Sequence, residues 1–197
     1  LSPAEMGRGT VPIAMDGVLT SLAAFYGPLA SPPHDLFAFF VWEVVSARAL
    51  PARRDIAWQA LRRIPALTPD AMFRAPKDDL KTALDGLGGF EERLEALRAG
   101  SGHFRRHRDL PRMVSGPLLA ATRALRDVPH LTASSQVRAL FYAGGHDLTA
   151  ADDQVARVVG RLKGVTAAAG PVRRGQARRH LTAAFGPDRE RLAPALV

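Results

Sequence analysis

The strongest constraint on the fold is an apolar segment over residues 34–50, which reads HDLFAFFVWEVVSARAL. A helix of this length that is apolar almost all the way round is typical of a central, buried position in a globular protein. Pro51 follows directly and is expected to end the helix, because proline cannot continue the hydrogen-bond ladder. The segment therefore predicts one long helix in the middle of the core.

The rest of the chain also has helical rather than strand patterns. Ala and Leu are abundant, aromatic residues make up 7% of the chain, and β-branched residues are scattered singly, which favours helix. Prolines and glycines divide the chain into short periodic stretches without strand alternation or internal repeats. We predict an all-α protein, with further helices over 17–26, 52–63, 69–75, 77–85, 90–104, 118–126, 134–143, 153–162, 171–185 and 188–197.

The charge balance favours a polyanionic partner. The chain has 27 Lys and Arg against 19 Asp and Glu, a formal net charge of +8, which favours nucleic acid or an anionic membrane surface. Only Lys77, Lys81 and Lys163 are lysines, so the basic groups are mainly guanidinium groups that can bind phosphate through two hydrogen bonds. Four arginines between 173 and 179 form either a solvated helix face or a further phosphate contact.

Residue types that the chain lacks exclude several kinds of site. There is no cysteine, which excludes disulfides, thiolate zinc sites and cysteine-ligated iron–sulfur clusters within this chain. No window of about 18 residues is apolar and uncharged enough to span a membrane, and the opening residues lack the pattern of a secretory signal. We expect a cytoplasmic, nucleoid-associated bacterial protein with no metal and no cofactor.

The segment from Val128 to Val158 has a pattern that indicates function. It reads VPHLTASSQ, then VRALFYAGG, and after a short loop ADDQVARV. This order resembles the endonuclease III type of the helix-hairpin-helix DNA glycosylase superfamily, in which LPGVGRKTA precedes an apolar helix ending in glycine and then VDTHVxRV. Eighteen residues separate Ser134 from Asp152, the spacing of that family's lysine and aspartate. Upstream, VVSARAL, TPDAMFRA and LGGFEERLEAL are similar to further family segments.

The resemblance implies a monofunctional glycosylase. Asp152 takes the position of the catalytic carboxylate, which stabilises the oxocarbenium-like sugar and can orient a water molecule. An aspartate at a helix start is also a common N-cap. The side chain of Asp153 is about 100° further round the helix, so we assign the role to Asp152. Ser134 replaces the lysine that forms a Schiff base in bifunctional members, and serine cannot form one.

The resemblance also implies which residues contact DNA near the first apolar helix. Arg48 takes the place of the family's glutamine that fills the gap left by an extruded base. The alternative is an arginine that interacts favourably with the C-terminal end of the helix dipole. Arg53 and Arg54 follow closely and would extend this surface toward the duplex.

At the hairpin, the resemblance implies that His130, Thr132 and Ser135 face DNA. The family's two turn glycines, which let backbone N–H groups approach a phosphate, are replaced here by His130 and Thr132. If either position requires a positive φ, its side chain should strain the turn. His130 is then either a phosphate contact in its own right or a plain surface histidine.

The implied architecture has two helical halves on either side of a DNA cleft. A helical barrel domain would span 32–145, and a discontinuous second domain would combine 16–31 with 146–197, after a loosely ordered lead-in over 1–15. Asp152 would lie where the halves meet. The implied partner is double-stranded DNA with a damaged or mismatched base, bound by a monomer. The alternatives are a catalytically inactive DNA-binding scaffold and an unrelated helical interaction protein.

Overall fold

The computed structural model describes residues 31–64, 67–148, 153–162 and 171–185, together with five helical positions between 17 and 25. The chain divides into two compact units, one of Leu1–Ser31 with Thr149–Val197 and one of Pro32–Leu148. All regular elements in the described ranges are helices, which confirms the predicted all-α class. The predicted lead-in over 1–15 and the predicted helix over 188–197 lie outside the described residues.

Ten described helices have defined bounds. Those of the larger unit are α1 Leu36–Ser46, α2 Pro51–Arg62, α3 Pro69–Arg74, α4 Lys77–Ala83, α5 Phe90–Arg106, α6 Leu110–Val114, α7 Leu118–Arg126 and α8 Ala133–Tyr142. Those of the other unit are α9 Asp153–Leu162 and α10 Pro171–Phe185.

Most of these bounds agree with the predicted ones to within two residues, and the exceptions are α1 and α6. The prediction that the apolar helix extends to residue 50 is wrong, because α1 ends at Ser46 and the chain then turns. Pro51 does not terminate α1 but occupies the first position of α2, where its missing N–H costs nothing. Helix α6 was not predicted.

Helix α1 is central in the larger unit, as its composition indicates. Asp35 begins it as the N-cap and accepts a hydrogen bond from the amide of Ala38 at 2.8 Å, and the helix packs against α2, α5 and α8. Phe39, Val41 and Val45 are fully buried, as are most of their neighbours on all faces of the helix. The continuous apolar surface is therefore used to contact several helices at once.

The approach of α5 to α1 depends on one glycine. A Cβ atom at Gly100 would lie 2.1 Å from Cζ of Phe40, far inside van der Waals contact. Phe104, one turn further along α5, packs against Phe40 and meets the ring of Phe37 edge-on at 5.2 Å. The two helices can therefore pack closely only because position 100 has no side chain.

In the other unit, α9 and α10 pack against each other. Ala156 and Val159 on α9, and Ala177 and Leu181 on α10, are buried at the three- and four-residue spacings of one helix face. On α10, Arg178 and Arg179 are exposed. None of the described helices is both long and apolar enough to cross a membrane.

Candidate nucleic-acid interface

The turn between α1 and α2, residues 47–50, presents an arginine on an unusual backbone. Arg48 has a φ of 54°, in the left-handed region that residues with a Cβ rarely adopt and that is enriched at functional sites. Leu50 is extended, with φ −69° and ψ 141°, as expected of a residue that precedes proline. The side chains of Arg48 and Leu50 are both exposed. We call this segment the 47–50 turn.

A buried arginine from α5 holds the end of α1. Arg93 is 8% exposed and donates hydrogen bonds to the carbonyls of Val44 and Ala47 and, through Nε at 2.8 Å, to that of Gly88. Carbonyls at the end of a helix have no hydrogen-bond donor within the helix, and the guanidinium group of Arg93 acts as that donor here. Burial lowers the pKa of Arg93, and the nearby positive charge of Arg48 lowers it further. Arg48 is therefore close enough to Arg93 to be repelled by it.

The two arginines that follow the turn differ in environment. Arg54 is buried, lies over the ring of Trp42 at 4.6 Å, and pairs through Nε with Asp55 at 2.8 Å. Its guanidinium group is thus engaged inside the protein, which favours a structural role over a contact with DNA. Arg53 is exposed, and its Nη1 atom would lie 3.1 Å from a Cβ placed at Gly86. Of the pair, only Arg53 has a side chain on the surface.

The hairpin turn between α7 and α8 contains both positions at which the family has glycine. His130 has a φ of 60° and is exposed, so this position does require the left-handed region. Thr132 has φ −65° and ψ 161°, a conformation open to any residue. Its Oγ1 accepts a hydrogen bond from the amide of Ser135 at 3.1 Å, which makes it the N-cap of α8. The expected strain therefore applies to His130 and not to Thr132.

The hairpin turn is anchored by its other residues. Val128 and Leu131 are 3% and 8% exposed and fix the turn on either side of His130. Ser135 is also buried, and its Oγ lies 2.8 Å from Oγ1 of Thr132. Ser135 therefore supports the cap of α8 from inside, and it is not positioned as a surface contact for DNA.

An ion pair joins α1 to α8. Arg138 donates from Nη2 and Nε to the two carboxylate oxygens of Glu43, at 2.6 and 3.2 Å, and the two side chains are 22% and 11% exposed. Such two-point pairing is the strong form of an arginine–carboxylate contact. One turn along α8, Tyr142 stacks on Phe39 with ring centroids 6.1 Å apart. Burial, with a smaller effect of Glu43, raises the pKa of Tyr142 to about 12, against the opposing effect of Arg138.

The contacts between α1 and α8 place the two turns at the same end of this helix pair. Arg48 follows Glu43 by five residues, and Thr132 precedes Arg138 by six. The two helices run antiparallel, because Phe39 contacts Tyr142 and Glu43 contacts Arg138. The C-terminal end of α1 and the N-terminal end of α8 are therefore on the same side of the ion pair. The 47–50 turn with Arg48 and the hairpin turn with His130 and Thr132 therefore lie at the same end of the α1–α8 pair.

Of the two residues expected at the reaction centre, Ser134 and Asp152, the structure describes only Ser134. Ser134 is the second residue of α8 and is half-buried. Asp152, the catalytic candidate, lies outside the described residues, and α9 begins directly after it at Asp153. Of the lysines, Lys77 donates to Glu91 at 2.9 Å and Lys81 is exposed on α4. Within the described ranges, no cluster of three or more His, Asp or Glu side chains could bind a metal ion.

Two residues that organise this region were missed from the sequence. Glu43 is the only charged residue in α1, and a single charge in an apolar helix is a detectable signal of a buried partner. Arg93 gives no such signal, because the two carbonyls that it contacts at the end of α1 and in the 47–50 turn are 49 and 46 residues away in the sequence. Its role is visible only once the helices are packed.

No protein-family model matches the chain, and no curated protein sequence matches it. Among solved structures, the chain is similar to that of a trapped endonuclease III–DNA covalent intermediate, an estranged-adenine complex. The TM-score is 0.63 at 14% sequence identity, and the match covers 92% of this chain and 82% of that one. The likeness therefore extends over nearly the whole chain and shows the endonuclease III fold.

Proposed function

We propose that this chain, which has the endonuclease III fold, is a DNA N-glycosylase that releases a damaged or mismatched base from double-stranded DNA. The observation that carries the proposal is the fold likeness to a DNA-bound endonuclease III over 92% of the chain. The net charge of +8 supports it, because phosphate neutralisation supplies most of the affinity of such proteins for DNA. The protein would act as a monomer in base-excision repair, in the cytoplasm and at the nucleoid.

In this proposal the 47–50 turn and the hairpin turn are the DNA-contacting parts of the larger unit. Arg48 fills the space that an extruded base leaves in the duplex and pairs with phosphate through its guanidinium group. His130 and Arg53 are also exposed and add phosphate contacts. Arg54 and Ser135 are excluded from this surface by their burial and support it from inside.

The proposed reaction is hydrolysis of the N-glycosidic bond. As the base departs, positive charge develops on the sugar, and the carboxylate of Asp152 stabilises it and orients a water molecule. The bond between the anomeric carbon and the base nitrogen breaks, the water oxygen bonds to that carbon, and the departing base or the carboxylate of Asp152 takes up the proton of the water. The products are the free base and an abasic site, with the DNA backbone intact.

The absence of strand cleavage follows from the residue at position 134. A serine hydroxyl cannot form the Schiff base through which a lysine promotes elimination, and Lys77 is already bound to Glu91. We expect borohydride treatment of a reacting mixture to trap no covalent protein–DNA adduct. Recovery of an adduct through any lysine would contradict this part of the proposal.

The proposal is tested by single-turnover base release from a panel of duplexes that each contain one lesion or mismatch. Asp152→Asn should lower the rate on the reactive substrate by about 10²–10⁴-fold, the usual contribution of a positioned acid–base group. Asp153→Asn is the matched control, because it removes a neighbouring charge and should leave the rate within about twofold of the wild type. Equal rates for wild type and Asp152→Asn would remove Asp152 from catalysis.

A second candidate is a scaffold that binds DNA without turnover. His130 favours it, because a side chain at this left-handed position replaces the family's glycine and hinders close approach of the backbone to phosphate. This candidate predicts duplex affinity that falls steeply as salt rises, with no base released from any member of the panel. Release of a base above background would exclude it.

A further inference from the structure

We propose that the 47–50 turn is a two-residue wedge in which Leu50, beside Arg48, enters the base stack of duplex DNA next to the extruded base. The inference rests on the proposed function and deepens it by naming a second side chain that penetrates the duplex. Its chemistry differs from that of Arg48, because an apolar side chain separates stacked bases without pairing with them.

Leu50 is available for this role. It is 73% exposed, although burying a leucine side chain completely is worth about 1.5–3 kcal/mol. It occupies the N-cap position of α2 but makes no side-chain capping hydrogen bond. Nothing in the folding of α2 therefore requires a leucine at this position. Single exposed leucines are common, so the argument depends on how the backbone around Leu50 is held.

The backbone of the turn is held at both ends. On the α1 side, Arg93 binds the carbonyls of Val44 and Ala47. On the α2 side, the amide of Arg54 donates to the carbonyl of Leu50 at 2.9 Å, and the buried side chain of Arg54 is fixed by Trp42. A wedge that is rigid before it binds does not lose conformational freedom on entering DNA. The turn has the construction expected of a preorganised penetrating element.

The surroundings of Leu50 identify the kind of partner. Arg48 and Arg53, two and three residues away, are both exposed, so the leucine is flanked by positive charges. Duplex DNA offers the matching arrangement, with phosphates outside and stacked bases within reach of a single side chain. An anionic membrane also combines charge with an apolar interior, but surface binding there normally uses the whole apolar face of a helix. We therefore assign the turn to DNA.

The experiment uses a duplex with a tetrahydrofuran abasic analogue and a 2-aminopurine beside it, whose fluorescence rises when that base is unstacked. Wild-type protein should raise the fluorescence. Leu50→Ala should reduce the rise by at least half and weaken binding about tenfold, in the range of one lost base contact. Leu50→Met, which keeps an apolar side chain of similar length, should restore both. Ile56→Ala is the matched control, since Ile56 is 61% exposed on α2 and should behave as wild type.

The outcomes separate this inference from the proposed function. If Leu50→Ala binds and unstacks the duplex as the wild type does, Leu50 is not a wedge, while the DNA-binding proposal stands. If the wild type fails to bind any duplex at low salt, the proposed function fails and the inference fails with it. If Leu50→Ala abolishes binding to phosphatidylserine vesicles and leaves DNA binding unchanged, the turn is a membrane contact and the inference is overturned.

Discussion

The hairpin turn allows a sharp test of the backbone strain, because His130 has a φ of 60°. A residue with a Cβ pays roughly 1–2 kcal/mol to adopt the left-handed region, and glycine pays almost nothing there. Glycine adds freedom to the unfolded chain, which offsets about 0.4–1 kcal/mol of that gain. The imidazole is exposed, so little packing is lost. His130→Gly should therefore raise the free energy of unfolding by about 0.5–1 kcal/mol.

The second glycine position of the family should respond in the opposite direction. Thr132 has ordinary backbone angles and caps α8 through its hydroxyl. Thr132→Gly relieves no strain, removes the cap and the contact with Ser135 Oγ, and adds freedom to the unfolded chain. We expect it to lower the free energy of unfolding by about 0.3–1 kcal/mol. Two substitutions to the same residue, two positions apart, should thus have opposite signs.

Urea unfolding followed by circular dichroism measures both variants, with His130→Ala as the reference for loss of the imidazole alone. His130→Gly should have the higher midpoint and His130→Ala a midpoint at or below that of the wild type, with unchanged slopes. If His130→Gly is no more stable than His130→Ala, the left-handed backbone at this position carries no cost. The strain assigned to His130 would then be refuted.

Two further predictions concern buried charged groups. Arg138→Met should destabilise the protein by about 2–3 kcal/mol, because it leaves the 11% exposed carboxylate of Glu43 unpaired. The double variant with Glu43→Leu should recover most of this loss. Additive effects of the two substitutions on the free energy of unfolding in urea would refute the coupling. The pKa of His103 lies below its ordinary value through burial and the nearby charges of His107 and Arg106. The unfolded chain therefore takes up a proton near pH 6.5 that the folded chain still excludes, so the free energy of unfolding should fall as pH drops through about 6.5. His103→Gln should show a smaller fall between pH 8 and about pH 5.5, and an identical fall would refute the assignment.

The sequence predicts the helices well where local signals end them. Pro69 and Pro76 mark helix boundaries within one residue of their positions, because the effect of proline on the backbone is local. The end of α1 has no such signal, since the apolar pattern continues past Ser46 into the turn. The helix ends there with Arg48 in a left-handed conformation and with Arg93, from a distant helix, bound to its last carbonyls. Long-range contacts of this kind cannot be read from periodicity.

The same distinction applies to the candidate site. The resemblance to a family selects Arg48 and His130 as candidate DNA contacts, but it does not predict whether their side chains reach the surface. Arg53 and Arg54 are equivalent in the sequence, and only the packing of Arg54 on Trp42 separates them. Likewise, residues other than glycine at 130 and 132 suggest two strained positions. The backbone angles show that only His130 is in the left-handed region and that Thr132 is not.

The two positive-φ residues other than glycine in the described part of the chain are Arg48 and His130. Both are among the positions that the resemblance to endonuclease III implies to lie against DNA. Left-handed residues with a Cβ persist only where the surroundings determine the backbone, and here Arg93 holds one turn while Val128 and Leu131 anchor the other. His130 therefore holds a left-handed backbone in this turn and presents an exposed imidazole there. A phosphate at this turn would meet a side chain that can donate a hydrogen bond, so the contact is exchanged and need not be lost.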